Sequence, residues 1–460
     1  IFENDTDVLS NITVVNSVTP ILKEGDKNYS YTEYEKALLD RQFFNYPITL
    51  STHVTLFDLL FGSNKESGFA FYQLSNSVIV LDEIQSYKNT IWTEIITFLK
   101  VFSKLLNIKI IIMSATLPNL DILTSGSYKA VKLIGNRNKY FLHPLFKDRV
   151  LLNYELIGIP NIFDELYKKI KSFLVKGNKI LIEFITKKSA MDFYKYFTNT
   201  IDKNNNIKVE LITGDDSRIE RTRILNEIEA IKDGVPFLLI STQVIEAGVD
   251  LKNIDIGFKD ISKLDSEEQF MGRINRSSKK NGTVYFFDYD NAKNIYKKDV
   301  RINDRLTLKS EDMRKILNEK RFDDYYKEVL KLILSDNESS AIEKNINNFF
   351  TQIKKLNVPL ISDRMRLIDK DDWSCTVFLN RQIDAVINGE ILDGKKIWNE
   401  YKYLLKNRKE YNYAEWRVKL SIVKSKMNYF IYQVNKKCSF PFTEDYLGEI
   451  FYIEDAEQYF

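Results

Sequence analysis

The chain has 460 residues, a formal net charge of +3 and 44% hydrophobic residues. That apolar fraction excludes a disordered chain, and at about 100–200 residues per domain the length allows roughly two to four domains. Because 67 basic residues nearly balance 64 acidic ones, a nucleic-acid-binding groove would have to be local.

Histidine and cysteine are scarce, and this limits the chemistry of the chain. The two histidines, His53 and His143, exclude a metal-dependent phosphohydrolase of the His-Asp type, which needs several histidines. The two cysteines, Cys375 and Cys438, can form neither a disulfide framework nor a four-cysteine zinc site, and they fit a reduced cytoplasmic compartment. Any hydrolysis by this chain would therefore use carboxylates, arginines, hydroxyls and a metal ion that is not held by a His or Cys cluster. No apolar run reaches the roughly 18–20 residues of a membrane span, so we expect no membrane partner.

Short apolar runs alternate with helical stretches from about residue 77 to residue 288. Runs without period-2 alternation indicate parallel strands buried on both faces, so the predicted class is α/β and doubly wound. In chain order the pattern predicts a strand at 78–81, a helix at 90–106, strands at 109–113 and 179–185, a helix at 187–197, a strand at 208–213, a helix at 217–232, strands at 237–241 and 254–258, a helix at 266–276 and a strand at 283–287.

Breaks in this alternation predict the domain organisation. A stretch with several Gly and Pro residues between 119 and 164 suggests a linker, and beyond residue 292 the sequence becomes Lys-, Glu- and Asn-rich and helical. The chain starts at Ile1 without an initiator methionine, so we expect a first lobe that lacks its N-terminal part. We expect a first lobe over 1–145, a second lobe over 146–300, a helical connector over 301–345 and a C-terminal domain over 346–460.

An acidic pair, Asp82 and Glu83, follows the strand predicted at 78–81. In open α/β sheets ligands bind at the carboxyl ends of the strands, where this pair would lie. Asp82 could hold a hydrated Mg²⁺, and Glu83 could orient or deprotonate the water that attacks a γ-phosphate. For a bare Asp-Glu pair, a solvated acidic loop is the better explanation.

Two polar motifs follow later strands. The hydroxyls of Ser114 and Thr116 could relay between a phosphate site and a polymer site, although alone they most often mark a turn. After the strand at 237–241, Thr242 and Gln243 could donate to a phosphodiester backbone. In the same motif Gly248 would let the backbone approach a ligand, and Asp250 could accept from a ribose hydroxyl.

A last motif has the helical spacing i, i+4 and i+7. Gln269, Arg273 and Arg276 would therefore share one face of the helix predicted at 266–276. Two guanidiniums and an amide on one face suit a polyanion, and the alternative is a basic, solvated helix face.

The order and spacing of these motifs resemble the motif series of superfamily 2 helicases. More narrowly, the chain is similar to the helicase part of the CRISPR-associated helicase/nuclease, the third Cas protein and effector of type I systems. The similar segments are VIVLDEIQSYKN (78–89), MSATLP (113–118), TQVIEAGVD (242–250) and QFMGRINR (269–276), with YPITLSTHVTLFDLLFG (46–62) upstream.

The resemblance implies two RecA-like lobes, with ATP as the cofactor and a single DNA strand as the partner, in the cytoplasm of a prokaryote. It implies Asp82 as the Mg²⁺-associated acid, Glu83 as the water-activating residue and Gln85 as the nucleotide sensor. Ser114 and Thr116 would couple hydrolysis to motion, and Gly248 and Asp250 would line the nucleotide site. Gln269, Arg273 and Arg276 would bind the phosphates.

The resemblance also implies residues that contact the DNA strand. The alternative explanation for these residues is that they are ordinary loop hydroxyls at the ends of β-strands. The implied contact residues are Thr52, Thr186, Thr213, Gly214, Thr242 and Gln243. Other implied partners are the type I surveillance complex, which the C-terminal region would meet, and the nuclease domain of the family.

Two features of the family are not found in the sequence. One is the His-Asp nuclease. The other is the phosphate-cradling loop that ends in Gly-Lys-Ser/Thr, because the Gly394-Lys395 pair is followed by Lys396 and not by Ser or Thr. One hypothesis is therefore a piece of a longer ATP-dependent DNA helicase/nuclease that is inactive as an ATPase alone. The other is an ATPase-dead module that binds nucleic acid or docks, and within helicases an RNA substrate is the second choice.

Overall fold

A computed structural model describes residues 12–22, 29–62, 65–124, 129–201, 207–232, 234–245, 251, 254–276, 282–338, 345–367, 374–387, 390–436, 446–447 and 450–454. The chain forms two compact units. Unit 1 comprises Ile1–Leu81, Val101–Ile111 and Phe349–Phe460, and unit 2 comprises Asp82–Lys100 and Ile112–Asn348. The domain boundaries predicted at residues 145, 300 and 345 stay a prediction.

The elements are numbered in chain order. The strands are β1 (Ile12–Val15), β2 (Ile48–Ser51), β3 (Val78–Leu81), β4 (Lys109–Ile112), β5 (Val150–Leu156), β6 (Lys179–Glu183), β7 (Lys208–Ile212), β8 (Phe237–Ser241), β9 (Ile256–Asp260), β10 (Gly282–Phe287), β11 (Ser374–Leu379), β12 (Gln382–Ile387), β13 (Glu390–Asp393), β14 (Ile431–Asn435), β15 (Tyr446–Leu447) and β16 (Ile450–Ile453).

The α-helices are α1 (Tyr31–Phe43), α2 (His53–Phe61), α3 (Lys65–Gln73), α4 (Trp92–Leu105), α5 (Asn138–Phe141), α6 (Pro144–Lys147), α7 (Ile162–Leu174), α8 (Lys187–Thr200), α9 (Arg218–Ala230), α10 (Leu264–Met271), α11 (Ala292–Tyr296), α12 (Glu311–Glu319), α13 (Phe322–Asn337), α14 (Ile346–Lys354), α15 (Val358–Arg364), α16 (Gly394–Lys406) and α17 (Tyr413–Met427). In the described part of the chain, no helix has the length and apolar character needed to cross a membrane.

Unit 2 is built on a six-stranded sheet with the order β5-β10-β9-β6-β8-β7. Every pairing in it is parallel, and every residue of β6, β8 and β9 is buried. Helices α7 and α8 pack on this sheet through a core that includes Ile170, Phe193 and Phe258. The apolar runs without alternation are therefore strands covered on both faces, and the predicted α/β class is confirmed.

A glycine in β9 lets the chain around α10 approach the sheet closely. A Cβ atom on Gly257 would lie 2.7 Å from the ring of Phe270 and 2.9 Å from the side chain of Ile274. A larger residue at this position would therefore force Phe270 and Ile274 to shift, and glycine allows the close approach without such a shift. The packing places the segment of Gln269 directly on the sheet.

Unit 1 holds smaller sheets. Strands β1 and β2 pair in parallel, whereas β3 pairs only with β4 among the described residues. A four-stranded sheet has the order β14-β11-β16-β15, and Phe378 of β11 stacks on Phe430 and Tyr452. Among the described residues, the strands before residue 113 therefore form two separate pairs, β1-β2 and β3-β4.

Candidate nucleotide and nucleic-acid site

The acidic pair lies in a tight turn directly after β3. Glu83 has a φ of 53° and precedes a 3₁₀ turn at Ile84–Ser86, and its N–H donates to Asp82 Oδ1 at 2.9 Å. A left-handed backbone is uncommon for glutamate, and such strained positions concentrate at functional sites. Asp82 is exposed, while Glu83 is half-buried.

The carboxylate of Glu83 joins two of the predicted motifs. Its Oε2 accepts from Gln269 Nε2 at 2.7 Å and also from Gln85 Nε2. Gln85 is 1% exposed, and among the residues that the structure describes its Oε1 has no hydrogen-bond partner. Because buried amide oxygens are nearly always paired, Gln85 offers an acceptor for a donor other than the described residues.

The Ser114–Thr116 motif also lies in unit 2 and is held by residues that sequence reasoning missed. Thr116 N donates to Ser114 Oγ at 3.0 Å, and Thr116 Oγ1 lies 3.3 Å from the hydroxyl of Tyr326 on α13. Arg137 donates to the carbonyls on either side of Thr116, at 2.9 and 3.0 Å. No spacing or motif in the sequence points to Tyr326 or Arg137.

The helix predicted at 266–276 is wrong in its bounds. Helix α10 ends at Met271, and the backbone then turns, with Asn275 in the left-handed region at a φ of 48°. Gln269 is therefore helical, but Arg273 and Arg276 are not, and the argument from a shared helical face fails. The physical reason is a hydrogen bond from Asn275 N to the carbonyl of Ile254 at 2.8 Å, which draws the chain away from the helix axis.

Most of the residues predicted to contact the DNA strand lie together at the carboxyl ends of β6, β8 and β7. Thr242 N donates to the carbonyl of the last residue of β7 at 3.2 Å. A Cβ atom on Gly214 would lie 3.2 Å from Lys187 Cε and 3.8 Å from Val244 Cγ2. The structure thus brings together the segments of Thr186, Thr213, Gly214, Thr242 and Gln243.

Three of the predicted contact hydroxyls have structural partners. Thr186 Oγ1 accepts from Ser189 N at 3.0 Å and caps α8, and Thr52 Oγ1 caps α2. Thr213 Oγ1 donates to Asp216 at 3.1 Å. Such partners support the structural explanation of these threonines, and their contact with a strand stays a prediction.

The remaining predicted residues are placed as follows. Thr52 belongs to unit 1, whereas the other described residues of the predicted site belong to unit 2. Gly248 and Asp250 fall outside the described residues. His53 is the exposed first residue of α2.

Buried charges fix α10 on the sheet. Lys259 of β9 pairs with Glu183 of β6, both 1% exposed in their side chains, and lies 3.9 Å from Glu267 of α10. Sequence reasoning missed this group, although a lysine after an apolar strand pattern was a visible signal.

The donor set fits a magnesium ion that is held mainly by a substrate. In the described ranges no three His, Cys, Asp or Glu side chains form a group that could hold a metal. Mg²⁺ usually takes only one or two carboxylates and completes its shell with water and phosphate oxygens. Asp82 and Glu83 can supply such ligands.

The six-stranded parallel sheet of unit 2, with helices packed on it and polar motifs at its strand ends, has an α/β architecture of the RecA-like kind. The structure matches a T. fusca Cas3–AMPPNP crystal structure with a TM-score of 0.56 and 14% identity, over 90% of this chain and 55% of that one. Residues 176–279 match the family model for the C-terminal part of the CRISPR-associated nuclease/helicase Cas3.

Two curated relatives agree with this match. A CRISPR-associated nuclease/helicase Cas3 of Methanocaldococcus jannaschii is 27% identical over 257 residues, which are 52% of this chain and 33% of that protein. A Cas3 of Haloferax volcanii is 54% identical over 57 residues, or 12% of this chain and 6% of that protein. The chain is thus similar to the helicase portion of Cas3, which confirms the resemblance seen in the sequence.

Proposed function

We propose that the chain is the motor portion of an ATP-dependent single-stranded DNA translocase of a type I CRISPR interference system, which unwinds target DNA for degradation. The hydrogen bond between Glu83 and Gln269 carries this proposal, because it joins two motifs that lie 186 positions apart. The chain spans a third of the M. jannaschii relative and about half of T. fusca Cas3, so the activity of a whole protein is part of the proposal.

In this proposal the acidic pair performs the hydrolytic chemistry. Glu83 holds the attacking water and takes its proton, and Asp82 holds a Mg²⁺ ion, which neutralises charge on phosphate oxygens when it is bound. Gln269, Arg273 and Arg276 bind phosphate oxygens, and Gln85 Oε1 accepts from the nucleotide. Ser114 and Thr116 couple hydrolysis to motion, and Gly248 and Asp250 line the nucleotide site.

The proposed partners follow from the same likeness. The edge formed by the ends of β6, β7 and β8 binds the phosphates and sugars of a single strand, with Thr52 as a further contact. The type I surveillance complex and a nuclease domain are the proposed protein partners, in the cytoplasm of a prokaryote.

We expect no DNA-stimulated phosphate release from the 460-residue chain alone. The sequence contains no Gly-Lys-Ser/Thr loop, and such a loop provides the backbone N–H groups and the lysine that bind the β- and γ-phosphates. The measurement is phosphate release with and without single-stranded DNA, compared with a longer polypeptide that includes such a loop. Robust turnover by the chain alone, lost in Glu83→Gln, would contradict the need for that loop.

The alternative functions are an ATPase-dead module that binds nucleic acid or docks, and a superfamily 2 RNA helicase. The first would account for the lack of a Gly-Lys-Ser/Thr loop in the sequence, and the second stays open because the motif residues would contact mainly phosphate and sugar. Competition between DNA and RNA strands of equal length, at a stated salt concentration, separates these substrates. A longer polypeptide that contains the loop but hydrolyses no ATP would favour the dead module.

A further inference from the structure

One buried arginine bonds to the two segments that carry Glu83 and Gln269. Arg301 lies in a 3₁₀ turn at Val300–Ile302 and is 1% exposed. Its Nη1 donates to the carbonyl of Gln85 at 2.7 Å and to Asp265 Oδ2 at 2.9 Å. Gln85 belongs to the turn of Glu83, and Asp265 lies on α10, the helix of Gln269. A single guanidinium therefore ties these two segments together.

The rest of the guanidinium is held just as firmly. Nε and Nη2 donate to both oxygens of Asp299, at 2.9, 3.2 and 2.6 Å. Asp299 also accepts from Asn89 Nδ2 at 2.6 Å, and the guanidinium carbon lies 5.3 Å from the ring centre of Trp92. The residues just after the acidic turn are thus bound to the same group, and the planar fork of arginine satisfies all of these directions at once.

The charges of Arg301 and Asp299 favour the contact between them. Burial raises the pKa of the Asp299 carboxyl, but the Arg301 guanidinium and, to a smaller extent, the charge of Lys263 together hold this pKa below its usual value. Because a buried carboxylate and its cation are costly to separate, the network is expected to persist.

We infer that Arg301 is a positioning residue, which sets the Glu83 turn against α10 and so holds the Glu83 carboxylate where Gln269 meets it. This inference rests on the proposed function for its catalytic meaning, but its structural content does not. Lysine at this position would keep the charge but carry its donors on one atom, so it would not reproduce the hydrogen bonds that Arg301 makes to Gln85, Asp265 and Asp299 from three separate nitrogen atoms.

The test is hydrogen exchange of the 460-residue chain with Arg301→Lys. The reporters are the amides of Ser86 and Tyr87, which donate to the carbonyls of Glu83 and Ile84 at 2.9 and 3.1 Å. Loss of a charge-assisted hydrogen bond should accelerate their exchange by about 10- to 100-fold, with the amides of β8 unchanged. The matched control is Arg305→Lys, an exposed arginine in the next turn, which should leave exchange at both amides as in the wild type.

Unchanged exchange at Ser86 and Tyr87 would overturn the inference, and so would an acceleration that includes β8, since that is a general loss of stability. If Arg301→Lys does not fold, Asp265→Asn tests the same link and should accelerate the same two amides. In a form that hydrolyses ATP, Arg301→Lys should lower kcat and leave KM unchanged. A wild type without turnover counts against the proposed function alone, because the exchange result still decides on Arg301.

Discussion

Replacing Glu83 by glutamine is expected to lower ATP turnover by a factor of about 10²–10⁴, the usual contribution of a general base. The amide keeps the volume of the carboxylate and an oxygen that Gln269 can still contact, but it cannot take a proton from water. Nucleotide binding should therefore change little. The measurement is steady-state phosphate release, with nucleotide affinity determined in parallel, in the form of the protein that turns over ATP.

The control for this substitution is Glu328→Gln. Glu328 is a solvent-exposed glutamate of α13 that pairs with Lys331 one helical turn away. Its replacement removes the same charge from the same unit and should leave turnover unchanged. If Glu83→Gln turns over ATP as fast as Glu328→Gln, Glu83 is not the general base.

Replacing Lys259 by methionine is expected to lower the free energy of unfolding of the six-stranded sheet by about 3–5 kcal/mol. The change removes the cation beside Glu183 and Glu267, whose carboxylates are buried. A buried carboxylate without a cation must either stay charged in a medium of low polarity or take up a proton, and both cost free energy. Hydrogen exchange of the β6, β8 and β9 amides under urea measures the loss.

Two further variants calibrate this result. Lys293→Met removes an exposed lysine that pairs with Asp304, and such a pair contributes less than about 1 kcal/mol. Lys259→Met combined with Glu183→Met should recover part of the loss, because it also removes one of the stranded charges. A Lys259→Met effect no larger than that of Lys293→Met would show that this buried pair does not stabilise the sheet.

Local pattern accounts for much of the fold. The strand predicted at 237–241 is β8 without any change of bounds, and the strands at 179–185 and 208–213 differ from β6 and β7 by one or two residues at their ends. The strands β6 and β8 are predictable because continuous apolar runs of strand length are typical of parallel strands covered on both faces, whereas β7 lies at the edge of the sheet and is partly exposed. The helix predicted at 266–276 exists but ends at Met271, because Asn275 bonds to the carbonyl of Ile254, and no periodicity of the sequence reports such a contact.

The sequence by itself determined the α/β class, the motif series and its resemblance to the helicase part of a CRISPR-associated helicase/nuclease. These depend on residue type and spacing, which are local properties of the chain. Tertiary structure alone decided that Glu83 meets Gln269, that Tyr326 and Arg137 hold Thr116, and that Arg301 ties the acidic turn to α10. These contacts depend on the order in which strands pair and on how closely helices pack on them, and neither is encoded in the spacing of neighbouring residues.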